Sequence, residues 1–230
     1  MVVDIVPELL TNIQNDFNSR FNKSTKLNKI RKLIDDGNAT YEDANEYAVE
    51  VGRLLAQSYK KYIKSDTLPD GKMYYNIAER ILNPTLGNNH TLISKISADV
   101  QTSLNASYGI GIKGVEAPLQ QNRINGIIER VATEEVFDNV AWILNEPIVN
   151  FSQSVVDSVI ETNVDFHGKS GLSPKVIRTV RGHDPCEWCV AMAGEYKYPD
   201  VPKGVYARHD RCRCTVEYDP GDSKRKNVWS

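Results

Sequence analysis

The sequence predicts an α+β fold: a mostly helical body over residues 1–165, a small β-rich module over 166–221 and a basic tail over 222–230. Three observations carry that expectation. Through the first two thirds of the chain, apolar residues recur at every third or fourth position, the spacing of one helix face. After "HGKSGLSP" the chain changes to short β-branched or Tyr-containing runs bounded by Gly or Pro, as small strands are. All four cysteines and two of the four histidines fall between His183 and Cys214, a concentration that marks this stretch as a metal-clipped unit.

Composition narrows the function classes. With 230 residues and ordinary apolar content, the chain can bury a sizeable core without cross-links. No apolar run approaches the roughly 18 residues of a membrane span, so no membrane role is expected. The N-terminus "MVVDIVPELLTNIQNDF" lacks a basic leader and sets Asp4 and Glu8 inside its apolar pattern, so it does not read as a secretory signal. A reducing compartment follows as the expectation, and there four clustered cysteines favour metal over disulfides. Net charge is −2, and residues 178–230 carry ten Lys and Arg against eight Asp and Glu. That excess is too small for a strong DNA-binding face. Only Arg208, Arg211, Arg213 and the tail triplet Lys224, Arg225, Lys226 offer a weak phosphate-contacting patch.

The helices are justified in order. Leu9, Ile13 and Phe17 make the first face. Thr40 caps a longer helix, with Asp43 at the reciprocal position three residues on, and that helix carries Tyr47, Val51, Leu54, Leu55 and Tyr62. "SDTLPDG" stops it, and a short helix with Met73, Ile77 and Ile81 is expected to end at the breaker "NPTLGNNH". Leu92, Ile96, Val100 and Leu104 then form a separate stripe. Gly109, Gly111 and Gly114 have the G-x-G-x-x-G spacing, but a helical stripe rather than a strand precedes them, which argues for a flexible loop or hinge instead of a dinucleotide site. Further helices are expected near 118–131, near 133–145, and from Pro147 through Phe151, Val155 and Val159. "KVIRTVR", "EYKYP" and "CTVEYDPG" are the expected strands.

Cys186 and Cys189 form C-x-x-C; His209, Cys212 and Cys214 form H-x-x-C-x-C. Tetrahedral zinc is typically held by two such close pairs from two turns, so five candidates compete for four places. If Cys212 and Cys214 share a strand, they share a face and both can bind. Other chemistries fit less well. A thioredoxin-like site needs a βαβ setting, and a zinc deaminase needs an upstream H-x-E, whereas His90 is followed by Thr-Leu and His167 by Gly-Lys. A zinc-dependent nuclease is conceivable because His183 and His209 are each followed by Asp, but a hydrolytic zinc needs an open position and five donors can close the site. A host adaptor using the module as a zinc knuckle is a further alternative.

The stretch from Leu144 to Gly221, with C-E-W-C, then A-G-x-Y-x-Y-x-x-V-P, then V-Y-x-R-H-x-x-C-R-C-T-V-x-Y, resembles the minor head proteins of tailed bacteriophages, the phage Mu F-like family. About a third of the chain carries the likeness strongly. The resemblance implies a structural protein, not an enzyme, inside the phage head and assembled in the host cytoplasm. It implies association with the portal protein, contacts with major capsid or scaffolding protein and double-stranded genomic DNA, and a part in head morphogenesis and genome packaging or ejection. It brings no catalytic residue, only the Cys/His cluster with structural zinc.

Overall fold

A computed structural model describes residues 4–181, 185–209 and 211–221 of the protein. Leu9, Ile13 and Phe17 become the buried face of α1 (Val6–Lys23). Helix α2 (Thr25–Asp35) is covered by no sequence expectation; Ser24 caps it by accepting from the Leu27 N–H at 3.3 Å, and it buries only Leu27 and Ile30. Helix α3 (Tyr41–Tyr62) opens on the expected reciprocal cap: Asp43 N–H donates to Thr40 Oγ1 at 3.3 Å, and Thr40 N–H donates to Asp43 Oδ2 at 2.8 Å.

The breaker at Pro84 does not break. Helix α4 (Tyr75–Ser107) runs unbroken for 33 residues with Pro84 inside it, merging the two helices expected there. Proline removes one backbone bond and crowds the preceding turn. Here its ring lies on the exposed face, while Ile81, Leu82 and Leu86 around it are fully buried on the side packed against α1 and α3. Packing of that face outweighs the local cost, and Thr85 Oγ1 donates to the Ile81 carbonyl at 2.7 Å within the same turn.

Helix α4 ends at Gly109, whose φ of +70° suits glycine; the Gly109 and Ile110 N–H groups donate back to the Ala106 and Asn105 carbonyls, a Schellman cap. At Gly114 a Cβ would fall 2.1 Å from the Ala98 carbonyl oxygen, so the loop lies flat against α4. Asn163 brackets Val115 with two hydrogen bonds, and Ser94 accepts from the Ala117 N–H. The glycine spacing therefore serves a helix cap and a close crossing. The expected hinge is a pinned segment.

Helix α5 (Gln121–Thr133) follows. The helix expected at 133–145 is absent; two 3₁₀ turns, Phe137–Asn139 and Ala141–Leu144, stand there instead. Asn139, Val140, Ile143 and Asn145 N–H groups donate to the carbonyls of Val136, Phe137, Val140 and Trp142, the three-residue span of a 3₁₀ turn, and Phe137, Val140, Ile143 and Leu144 are buried. Helix α6 (Glu146–Lys169) starts with Pro147 in its first turn and runs past position 165.

The three expected strands form: β1 (Lys175–Thr179), β2 (Gly194–Lys197) and β3 (Thr215–Asp219), antiparallel in the order β2-β1-β3. The short helix α7 (Glu187–Ala191) lies between β1 and β2. The fold is α+β. Val176, Val216 and Tyr218 of the sheet belong to the same hydrophobic core as the helices. A buried polar chain also joins them: Tyr41 OH donates to Gln101, Gln101 to Asn105, and Asn105 contacts His167 Nε2, whose Nδ1 meets Tyr218 OH at 2.6 Å. No helix among the described residues is long and apolar enough to cross a membrane.

Candidate metal centre

Two chain segments build the centre. Cys186 caps α7 and accepts from the Cys189 N–H at 3.4 Å, so the C-x-x-C turn faces both sulfurs to one side. The second segment precedes β3. Cys212 N–H donates to the His209 carbonyl at 3.1 Å, and Arg211 takes a left-handed φ of +59° that completes the turn. Cys212 and Cys214 lie before the strand begins at Thr215, yet both are buried beside Cys189.

All five sequence candidates meet. Cys189 Sγ lies 2.9 Å from His209 Nε2 and 3.9 Å from Cys212 Sγ, and Cys186 Sγ lies 3.3 Å from His209 Nε2. Their donor atoms fall into two triads within 4.8 Å, Cys186–Cys189–His209 and Cys189–Cys212–Cys214, which share Cys189. Zinc–sulfur bonds of about 2.3 Å give a tetrahedral sulfur–sulfur edge of about 3.8 Å, which the Cys189–Cys212 spacing matches. The cluster can hold a metal ion.

Electrostatics favour a cation. Burial, with Cys214, Cys212 and Cys186 crowding around it, pushes the Cys189 thiol up to about 12. Cys214 is shifted the other way: burial opposes its ionisation, but the Cys189 thiol, the Arg181 backbone N–H and Cys212 together hold it below the ordinary thiol range. Burial works against a Cys189 thiolate, and a bound cation would offset that penalty.

Sequence reasoning missed the residues around the donors. Arg178 of β1 is 2% exposed and donates to the Val205 and Ala207 carbonyls, and its Nη2 lies 3.7 Å from Cys212 Sγ and 4.0 Å from Cys189 Sγ. It stands 5.0 Å over the Trp188 ring, whose edge meets His209. A signal existed: Arg178 shares the strand phase of buried Val176, so its charge had to point inward and find acceptors.

Of the weak phosphate patch, Arg208 is corrected. Its side chain is 1% exposed and grips Asp157 of α6 with two nitrogens, Nε and Nη2, while Nη1 donates to the Cys214 carbonyl at 2.9 Å. A buried charge with a carboxylate partner has no free donor face for a phosphate. Arg211 is exposed, and Arg213 is ion-paired with Glu146 at 3.4 Å. Lys224, Arg225, Lys226 and His183 lie outside the described residues. Asn150 of α6 donates to the His209 carbonyl at 3.0 Å, so Glu146, Asn150 and Asp157 latch the ligand-bearing segment to α6.

Comparison of the chain with protein-family models, curated proteins and solved structures found no match.

Proposed function

We propose that the centre holds one structural zinc ion, which ties the α7 turn to the segment before β3, and that the protein is a portal-associated minor head protein of a tailed phage. The observation that carries the metal reading is the convergence of four thiols and one imidazole from two segments around Cys189, three of the thiols buried. Thiolate-rich, enclosed donor sets suit zinc in a structural role. The head-protein role rests on the residue pattern from Leu144 to Gly221, and a rigid sheet latched to a helical body suits docking on a protein ring. In this reading the protein sits inside the head, with portal as its main partner and capsid or scaffolding protein nearby. DNA contact is limited to Arg211, Arg213 and the tail.

Elemental analysis after reducing purification without added metal, paired with a thiol count before and after chelation, tests the metal. About one zinc per chain with thiols masked until chelation is the expected result. Copurification with a portal ring tests the role, and its absence from assembled heads sinks it. The exposure of Cys186 and His209 favours a second reading, a zinc-dependent nuclease with a solvent-facing position. A His209→Asn variant that keeps its fold and metal but loses DNA cleavage selects that reading.

A further inference from the structure

We infer that Cys189, Cys212 and Cys214 are the fixed ligands of the centre and that Cys186 and His209 compete for its fourth position. The inference rests on the reading that the centre holds one tetrahedral ion. Cys189, Cys212 and Cys214 are 2%, 1% and 2% exposed, and their sulfurs lie within 4.8 Å of one another, forming a buried triad on their own. Such a triad leaves one corner of a tetrahedron. Two donors flank Cys189 on the side of that corner, and neither yet lies within 4.8 Å of all three buried sulfurs, so either must swing inward to fill it. Cys186 and His209 are both exposed, both belong with Cys189 alone in their triad, and lie 3.3 Å from each other.

The surroundings support exchange at this corner. The His209 backbone is held by Asn150 and by the Cys212 N–H, and Cys186 is anchored as the cap of α7. A rotamer change at either side chain, which for Cys186 gives up the cap bond from the Cys189 N–H, would carry its donor inward while the backbone of the buried triad stays in place. With Cys186 bound, the ion has four thiolates; with His209 bound, it has three thiolates and an imidazole, one negative charge fewer. Arg178 touches two of the fixed sulfurs and stays beside the ion in either form. The consequence is a solvent-side corner through which metal enters and leaves while the buried triad persists.

The test is a zinc competition against a chromophoric chelator on the full chain, for the parent protein and for Cys186→Ser, His209→Asn, the double variant and Cys212→Ser. Helix content by circular dichroism checks each fold. Each single corner variant is expected to lose less than about tenfold in affinity, the double variant more than about a hundredfold, and Cys212→Ser nearly all binding. Cobalt(II) absorption should show an all-thiolate spectrum in His209→Asn and a nitrogen-containing one in Cys186→Ser. A single corner variant that loses as much as the double overturns the inference, because the fourth ligand is then fixed. A double variant that binds like the parent also overturns it. If the parent protein binds no zinc, the metal reading itself falls, which is a separate and recognisable result.

Discussion

The helical body and the cysteine module are held by opposite means. In the body, dozens of apolar side chains from α1 to α6 form one continuous core, so that each contributes a share and none is indispensable. Beyond Val176, Val205, Val216 and Tyr218, which join that core, the module encloses a small cluster of Cys189, Cys212 and Cys214 with Val180 against it. It depends on a few directional contacts: the donors around Cys189, Arg178 on two sulfurs, and Arg208 on Asp157. The difference teaches that the body should fail by degrees and the module all at once, because losing one partner of a small buried polar set strands the others.

The sharpest break is removal of the proposed ion. Structural zinc binding is worth on the order of 10–16 kcal/mol in small zinc-folded peptides, so chelation or Cys212→Ser should melt the module while helix content stays near its starting value. Hydrogen exchange should show protection lost over 175–219 and kept in α3 and α6; uniform retention would mean that the sheet stands without metal. Next in size is the latch. Asp157→Ala leaves Arg208 buried without its carboxylate and should cost about 3–5 kcal/mol by urea unfolding, with much of that recovered on adding Arg208→Met. A cost equal in the single and double variants would show that the charge itself is not the cause.

In the body the expected effects are smaller. Ile81→Val in the α4 face should cost about 0.5–1.5 kcal/mol, whereas Pro84→Ala should stabilise by about 1 kcal/mol or more by restoring a helix bond on the exposed face. A loss of stability in Pro84→Ala would show that the proline shapes the helix for its packing. The mildest is a pH effect. Burial lowers the His167 pKa below its ordinary value of 6.5, so the unfolded chain takes up a proton first. Stability should be complete above pH ~6.5 and fall as pH drops below it. His90, also buried, adds in the same direction. His167→Gln should flatten part of that slope, and an unchanged slope would place the acid sensitivity elsewhere.

What was legible followed local rules. The cap at Thr40, the stop at "SDTLPDG", the three strands and the meeting of Cys186, Cys189, His209, Cys212 and Cys214 all depend on residues close in sequence or on donor types that have few other uses. What was not legible depended on partners far along the chain. The punctuation at Pro84 reads as an end, yet the buried flanks of α4 outweigh it. The 133–145 segment has apolar residues that fit two helical periods, and only the backbone bonds of the folded chain, each reaching back three residues, show the tighter one. Arg208 looks like a surface cation among basic neighbours until Asp157, 51 residues earlier, is placed against it.

The sequence by itself therefore determined the α+β class, most element positions and which Cys and His residues gather in one place, because periodicity, capping and residue chemistry act over a few residues. Tertiary structure alone decided that α4 runs through its proline, that Arg208 turns inward, and that the His209–Cys214 segment is latched to α6. Those outcomes depend on where a buried charge or apolar face finds its partner, and that is a property of the assembled core.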